Sequence, residues 1–541
     1  MMDKEKLYIY DTTLRDGQQT HGVVFSVKEK LRITKALDEL GVDYIEGGWP
    51  GANPTDTDYF NNVSFQQSHA KIAAFGMTKR EGKSAENDEV LAPVVNSGAH
   101  SICLVGKAHD FHVEQALGIS LASNVSNIEL SLKHLVSLGK EGIFDAEHFF
   151  DGFKANKDYA LKVIFSALEA GARWVVLCDT NGGTLPHEIS KIVTEVIECG
   201  FPGKKLGIHT HNDTENAVAN SLSAVLAGAR QIQGTVNGLG ERCGNANLIS
   251  LIPSLLMKEP FKSKFSINIK EKNLSIVTKL SRLVDDILNR VPVRSAPYVG
   301  SSAFTHKAGL HASAILKNPK TYEHISPELV GNHRVIPMSN QAGLSNLKKR
   351  LFDCGIDFNA DNSKLIEILR IIKEKEDQGY SYDVAGASFE LLALKLLNQM
   401  PIFFNVKRYR VGVERRKNKY NKSVSLSEAV VVVEIDGKKK LSVSESLDEL
   451  GNDRGPVNAL AGALAKDLGK YQDIISDMKL IDYKVRITAG GTEAVTRVLI
   501  DSEDSEGRRW STIGVSPNIV DASFQALLDA MNWKILKSLE G

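Results

Sequence analysis

The chain reads LYIYDTTLRDG at residues 7–17 and LGIHTHND at residues 206–213. In both stretches an apolar run typical of a buried strand leads directly into polar residues. Arg15 and Asp16 follow the first run, and His209 and His211 end the second. In parallel β/α folds the functional side chains lie at the carboxyl ends of the strands. The two stretches therefore predict an α/β fold with a site at the strand ends.

Six further apolar runs complete a set of eight, and helical patterns separate most of them. The candidate strands are residues 7–10, 44–47, 72–75, 101–105, 142–146, 174–178, 206–209 and 231–236, and the main helical patterns are 28–40, 114–138, 159–170, 187–199 and 214–227. Parallel strands require long, usually helical crossovers, so this alternation predicts a (β/α)8 TIM barrel. A doubly wound open sheet would alternate in the same way, but the count of eight favours the barrel. Residues 50–58 and 82–87 are predicted to be loops on its rim.

The pattern changes twice after the barrel, which predicts three parts. These are a barrel over residues 1–268, a helical linker region over 269–402, and a C-terminal α+β domain over 403–541. The resemblance described below implies a catalytic role for the first part and a regulatory role for the last. In the last part, predicted strands at 424–435, 439–444, 483–488 and 496–501 and helices at 456–468 and 519–535 form two successive units of a strand pair and a helix. The basic segment 407–422 is interpreted as a solvated linker or an edge strand.

The composition argues against several kinds of partner. The 66 lysines and arginines equal the 66 acidic residues, so net charge gives no reason to expect nucleic acid or an anionic membrane surface. No stretch has the roughly 20 apolar residues needed to cross a bilayer. The five cysteines are scattered and never spaced as Cys-x-x-Cys, a pattern typical of a reducing cytoplasm. We therefore expect a cytoplasmic protein without nucleic-acid or membrane partners.

Asp16, His209 and His211 form a candidate metal site. Side chains at positions i and i+2 of a strand point to the same side, so the two histidines project together. In a closed barrel, strands one and seven are near neighbours across the eighth. Two imidazoles and one carboxylate predict a catalytic divalent metal, and Asn245 after strand eight strengthens the prediction. The alternative is that the histidines are merely polar groups lining the barrel rim.

Several motifs together resemble a known family. They are the 11–17 and 209–213 stretches, the glycine-rich loop NGLGERCGNAN at 237–247, AFTHKAGLH at 303–311, and KTYE at 320–323. This set resembles the acyl-CoA-condensing TIM-barrel family, which includes 2-isopropylmalate, citramalate and homocitrate synthases. Segments 487–492 and 516–523 resemble that family's leucine- or isoleucine-sensing domain. Residues 46–58 and 147–159 are more similar to one branch of citramalate synthases.

The resemblance implies an acyltransferase that condenses acetyl-CoA with a 2-keto acid, which is pyruvate in the citramalate branch of isoleucine biosynthesis. It also implies a divalent metal ion (Mg²⁺, Mn²⁺ or Zn²⁺), a homodimer, and feedback by isoleucine rather than leucine. The implied metal ligands are Asp16, His209 and His211, with Asn245 in or next to the coordination shell.

The resemblance further assigns residues to catalysis and substrate binding. Arg15 would contact the keto-acid carbonyl and the enolate. Gln19, Glu147 and Thr180 would hold the keto acid, with Glu147 also counted as catalytic. His311, with Tyr322 nearby, would transfer the proton. Two departures stand out: Gln18 replaces a glutamate common in the family, and Ser313 replaces an acid that many relatives carry. The second leaves the identity of the base open.

Three other functions remain open on the sequence. A 2-isopropylmalate synthase would accept 2-ketoisovalerate, which differs only in its side chain. A hydroxymethylglutaryl-CoA lyase shares the barrel and the metal set, but it carries a Gly-Cys-Pro-type loop after strand eight, where this chain has Glu241 to Asn245. An amino-acid sensor with an inert barrel is disfavoured by the complete metal set.

Overall fold

Eight parallel strands close into a barrel in the computed structural model, which describes residues 4–540 except 66, 68, 338–342, 359–361, 418–422, 449–454 and 488–493. The strands are β1 Tyr8–Asp11, β2 Tyr44–Gly48, β3 Lys71–Met77, β4 Ser101–Lys107, β5 Glu141–Glu147, β6 Trp174–Asp179, β7 Leu206–Thr210 and β8 Gln231–Gly234. They pair in chain order, and β1 closes on β8 through Tyr8–Gln231 to Asp11–Gly234. The prediction of an eightfold β/α barrel is confirmed.

Helices surround the strands as the crossover rule requires. They are α1 Val27–Leu40, α2 Pro54–Asn62, α3 Leu91–Val95, α4 Leu121–Ser137, α5 Phe149–Ala155, α6 Lys157–Glu169, α7 Pro186–Glu198, α8 Ala217–Ala227, α9 Leu248–Met257 and α10 Ile276–Ile287. The predicted helix over 114–138 is interrupted, because Gly118 is left-handed and α4 begins only after the Ser120 cap. The predicted loop over 50–58 is wrong from Pro54 onward. Asn53 caps α2 and proline occupies its first turn, a start signal that the sequence contained.

The barrel interior is filled by side chains rather than by solvent. A buried layer beneath the strand ends contains Tyr10, Tyr44, Ala73, Phe75, Cys103, Ile143, Trp174, Val176 and Cys178. Tyr10 stacks on Tyr44 at 5.4 Å between ring centroids, and the Trp174 indole N–H donates to the Tyr44 hydroxyl at 3.3 Å. This layer closes the barrel from below, so any cavity must open at the carboxyl ends of the strands.

A fully buried lysine joins the first two strands of the barrel. The Lys30 ammonium on α1 donates to the Leu14 carbonyl at 2.9 Å, to the Gly47 carbonyl at 3.0 Å, and to the Asp56 carboxylate. Both charged side chains lie in the interior, with at most 4% of either exposed. Lys30 thus fixes the backbone directly before Arg15 and directly after Glu46.

The chain divides into two compact units, Met1–Phe304 with Ile325–His333, and Thr305–His324 with Arg334–Gly541. The second unit contains α11 Gly309–Lys317, α12 Leu344–Asp353, α13 Asn362–Asp377, α14 Gly386–Leu396, β9 Asn405–Lys417, β10 Ser423–Ile435, β11 Lys438–Asp448, α15 Pro456–Ala465, β12 Lys479–Ile487, β13 Thr496–Glu503, β14 Arg509–Ser516 and α16 Ile519–Leu539. The predicted division into parts at 268 and 402 stays a prediction.

Each half of the C-terminal region is a three-stranded antiparallel sheet followed by a helix. The expected strand pairs were therefore incomplete. The basic segment from residue 407 supplies the edge strand β9, and β14 adds a third strand to the second sheet. Of the motif at 487–492, residues 488–492 lie outside the described residues. Among the described residues, none of the helices is long and apolar enough to span a membrane.

A half-buried acid, Asp529, lies on α16 of the second unit. Its carboxylate accepts from the Ser388 hydroxyl at 2.5 Å. Burial raises the pKa of Asp529 to about 6, and the hydrogen bond from Ser388 with the charges of Lys395 and Lys375 offsets only part of this effect. The folded chain therefore holds a proton that the unfolded chain releases near pH 4, so stability is lost as pH rises from about 4 to about 6.

We expect Asp529→Asn to stabilise the second unit at pH 7.5 by up to about 3 kcal/mol, because it removes an ionisation that the folded chain disfavours. The amide oxygen still accepts from Ser388. At pH 3.5 the effect is expected to be small, since Asp529 is then largely protonated in both the folded and the unfolded chain. Melting temperatures of both proteins at the two pH values check this. A stabilisation that is equal at both would contradict it.

Candidate active site

A cavity of about 580 Å³ opens among the carboxyl ends of the barrel strands. It is lined by seven residues predicted from the sequence, Arg15, Asp16, Gln19, Glu147, Thr180, His209 and His211. Asn245 lies just outside this lining, buried and bridged through its backbone to His211. His311 and Tyr322 belong to the second unit, where their rings stack at 4.0 Å between centroids. The structure thus gathers the predicted barrel residues in one place.

Asp16, His209 and His211 present converging ligand atoms. The His209 Nε2 lies 3.2 Å from the Asp16 carboxylate and 3.3 Å from the His211 Nε2. Burial, together with the neighbouring His209, lowers the pKa of His211 to about 4, so its ring is neutral at pH 7. Burial also disfavours charge on His209, but hydrogen bonding to Asp16 and the charges of Asp16 and Asp145 together outweigh this and leave the His209 pKa raised. All three side chains are at least nine-tenths buried.

The surroundings fit a divalent cation at this point. Ligand atoms about 3 Å apart suit ions that bind nitrogen and oxygen at about 2.1 Å. The side-chain oxygen of Asn245 is buried and has no hydrogen-bond partner among the described residues, while its nitrogen donates to the Leu239 carbonyl at 3.0 Å. An acceptor left free beside two imidazoles and a carboxylate is what a metal would satisfy. These residues could therefore hold the metal that the sequence predicts.

Glycines let the loop after β8 fold tightly around Asn245. Gly240 has φ +155°, and a Cβ there would lie 2.2 Å from the Asn245 amide nitrogen. At Gly244 (φ +89°) a Cβ would lie 1.9 Å from the Gly238 carbonyl oxygen. The Arg242 side chain, which belongs to this loop, forms a bidentate ion pair with Asp213, with N···O distances of 2.8 and 2.9 Å. The loop is thereby tied to the end of β7, where the histidines lie.

Arg15 is held rigidly at the cavity floor. Its Nε donates to Glu46 at 2.5 Å, one terminal nitrogen lies 3.5 Å from Asp16, and the guanidinium stacks 3.9 Å from the Phe75 ring centroid. Burial alone would lower the pKa of Arg15, but the charges of Glu46 and Asp16 raise it well above its usual value. A permanent cation is thus positioned beside the metal-ligand set.

Glu147 and Thr180 lie where β5 and β6 end. Glu147 forms an ion pair with Lys107 at the end of β4, and both side chains line the cavity. The Thr180 hydroxyl oxygen accepts from the His148 backbone N–H at 2.8 Å, which leaves its own hydrogen available to another acceptor. Both residues could therefore contact a small anionic substrate in the cavity.

Several polar side chains that lie beneath the predicted site residues could not be identified from the sequence. Glu46 bonds Arg15 and the Tyr10 hydroxyl, and burial raises its pKa. Asp145 lies close to Glu46 and Cys103. Gln233 lies between Asp145 and His209. Polar residues inside strands gave no recognisable motif, because their partners come from distant strands.

Comparison with known proteins places the chain in a class. Its residues 6–284 match the HMGL-like family model, 298–380 match the homocitrate synthase post-HMGL domain-like model, and 383–535 match the LeuA allosteric (dimerisation) domain model. Because the HMGL-like model covers more than half of the chain, and the barrel presents residues that could hold a metal, the chain belongs to the HMGL-like barrel family.

Full-length relatives narrow the class to one family. An (R)-citramalate synthase from Aquifex aeolicus is 47% identical over 99% of this chain and 99% of its own length. One from Geobacter sulfurreducens is 46% identical over 98% of both chains. A probable 2-isopropylmalate synthase from Methanopyrus kandleri is 31% identical over 98% of both. The chain belongs to the (R)-citramalate synthase family, whose members are acyltransferases.

Proposed function

We propose that this chain condenses acetyl-CoA with pyruvate to give citramalate and CoA. The observation that carries the proposal is the convergence of Arg15, Asp16, His209 and His211 at one barrel cavity in a chain of the (R)-citramalate synthase family. A divalent metal held by Asp16, His209 and His211 would act as a Lewis acid on the keto-acid carbonyl. Mg²⁺ or Mn²⁺ is the ion we propose, with Zn²⁺ as the alternative.

The chain's own residues account for the remaining steps. A base removes a proton from the acetyl methyl group, and the resulting enolate carbon forms a bond to C2 of pyruvate. The carbonyl oxygen of pyruvate takes up a proton to become the hydroxyl group. Water then cleaves the thioester: its oxygen bonds to the acyl carbon, one of its protons goes to the departing thiolate of CoA, and the other is released to solvent, which leaves a second carboxylate. Arg15 is placed to hold the negative oxygen that develops, since Glu46 and Phe75 fix its plane.

We assign the other predicted residues to the same reaction. Glu147, Thr180 and Gln19 line the cavity and are proposed to bind the keto acid. His311, stacked on Tyr322, is proposed to transfer the proton. The LeuA allosteric (dimerisation) domain supports a homodimer and feedback by an amino acid, for which we propose isoleucine rather than leucine. We propose that the enzyme works in the cytoplasm, in isoleucine biosynthesis.

The test is a thiol-release assay with acetyl-CoA and, in parallel, pyruvate, 2-ketobutyrate, 2-ketoisovalerate and 2-oxoglutarate. We expect kcat/KM for pyruvate to exceed that for 2-ketobutyrate about 10-fold or more, because one methylene in a fitted pocket changes kcat/KM by about 10- to 200-fold. Chelation of the metal should abolish release, and Mg²⁺ or Mn²⁺ should restore it.

A matched pair of variants distinguishes the loss of a metal ligand from a general effect of replacing a histidine. His209→Ala should abolish CoA release, whereas His187→Ala, on the exposed surface of α7, should leave it unchanged. Preference for 2-ketoisovalerate would assign the chain to 2-isopropylmalate synthesis with the same mechanism. No release with any keto acid, or full activity of His209→Ala without metal, would reject the proposal.

A further inference from the structure

A glutamine connects a buried acid to one of the proposed metal ligands. The Gln233 side-chain nitrogen donates to the Asp145 carboxylate at 3.1 Å, and its oxygen lies 2.8 Å from the His209 Nδ1. Asp145 is on β5, Gln233 on β8 and His209 on β7. Gln233 is completely buried, and Asp145 is 3% exposed. The three side chains therefore form a continuous polar chain across the barrel interior.

The atoms that face one another give this hydrogen-bond chain a direction. The Asp145 carboxyl oxygen accepts from the amide nitrogen of Gln233. The amide oxygen must then face His209, where it accepts from an Nδ1–H. A neutral imidazole carries one proton, and with that proton on Nδ1 the Nε2 lone pair is free. That Nε2 is the atom that faces Asp16 and His211.

The second histidine lacks such support. The Nδ1 of His211 is buried and has no hydrogen-bond partner among the residues that the structure describes. Of the two proposed imidazole ligands, His209 is thus the one whose ring orientation and tautomer are set by the protein.

We propose that Asp145 and Gln233 are positioning residues, which hold His209 in the tautomer and orientation that bind the metal. The inference rests on the proposed function and deepens it. A metal-bound histidine commonly donates its other ring N–H to an oxygen, and loss of that partner typically lowers metal affinity 10- to 100-fold. Here the partner is an amide that a carboxylate orients.

The experiment measures Mn²⁺ binding by electron paramagnetic resonance and calorimetry, together with the melting temperature. Gln233→Leu removes the acceptor for the His209 N–H and should weaken Mn²⁺ binding 10- to 100-fold. Gln231→Leu is the matched control. Gln231 is also completely buried, lies two residues earlier on β8, and has no side-chain partner among the described residues. It should change the affinity less than threefold.

A swapped pair tests the direction of the hydrogen bonds rather than the packing. In the double variant Asp145→Asn with Gln233→Glu, the new amide donates to the new carboxylate, which accepts from His209. The charge is unchanged, so Mn²⁺ affinity should return to within threefold of wild type. The inference is overturned if Gln233→Leu binds Mn²⁺ with wild-type affinity. It is also overturned if the double variant melts normally but binds Mn²⁺ as weakly as Gln233→Leu.

Two further outcomes are also decisive. If Gln233→Leu does not fold, the variant Asp145→Leu replaces it in the test, because it keeps Gln233 but removes the carboxylate that accepts from its amide nitrogen. That variant should weaken Mn²⁺ binding at least threefold, and unchanged binding overturns the inference. Because Mn²⁺ binding is measured without turnover, the experiment distinguishes a failure of the proposed function from a failure of this inference. A wild-type chain that binds no Mn²⁺ contradicts the proposed function, whereas tight binding that Gln233→Leu leaves intact contradicts only the role of Gln233.

Discussion

Arg15→Lys is expected to lower kcat by about 10²- to 10³-fold, the effect of removing one group that stabilises a developing oxyanion. The variant keeps a positive charge but loses the planar fork. The arginine donates to Glu46 at 2.5 Å while its face lies 3.9 Å from the Phe75 ring centroid. An ammonium cannot satisfy both contacts and still face the substrate. Mn²⁺ affinity should change little, because Arg15 is not a proposed ligand.

The measurement is steady-state CoA release with saturating pyruvate and Mn²⁺. Arg173→Lys is the control, because Arg173 also stacks on an aromatic ring, 3.9 Å from the centroid of Trp174, but lies just before β6, at the opposite end from the cavity. Its kcat should match that of wild type. If kcat of Arg15→Lys is within threefold of wild type, Arg15 does not stabilise the oxyanion.

Lys30→Met is expected to destabilise the barrel by about 3–5 kcal/mol, because it leaves the Asp56 carboxylate buried without its cation. Burial lowers the pKa of Lys30, and the charge of Asp56 offsets part of that effect. The Leu14 and Gly47 carbonyls would also lose their shared donor. Since these carbonyls adjoin Arg15 and Glu46, kcat should fall together with stability.

Urea unfolding followed by tryptophan fluorescence measures the first effect, because Trp174 lies in the barrel interior. Lys133→Met is the control, since Lys133 forms an exposed pair with Glu129 one turn earlier on α4. Its midpoint should stay at the wild-type value, since exposed ion pairs contribute little. Equal midpoints for Lys30→Met and wild type would mean that the barrel tolerates an unpaired Asp56.

The strands could be predicted because parallel strands buried on both faces are continuously apolar. Every residue of β6 is buried, for example. The proximity of the proposed metal ligands could be predicted for a related reason. Asp16, His209 and His211 follow such runs, and barrel closure brings the ends of β1 and β7 close together. Periodicity and spacing therefore contained both the barrel and the centre of the site.

The groups that support the site could not be found in this way. Glu46 is 31 residues from Arg15, and Asp145 is 88 residues from Gln233. Each looks like an ordinary polar residue within a strand. Its function depends on which strand faces it across the barrel, and periodicity does not contain that information. The edge strand β9 was only one of two interpretations of its segment, because that segment is rich in basic residues, and β14 was not among the predicted strands.

The closure of β1 on β8 has a consequence for how the protein is made. The Thr12 backbone N–H donates to the Gly234 carbonyl at 2.9 Å, so the first strand finds this neighbour only near the end of the barrel. During translation, Arg15 and Asp16 emerge early, yet their partners His209, His211 and Asn245 follow some two hundred residues later. A chain that stalls on the ribosome before residue 245 lacks part of the proposed ligand set. If that set binds the metal, incomplete products of translation are inactive, and activity indicates a finished barrel.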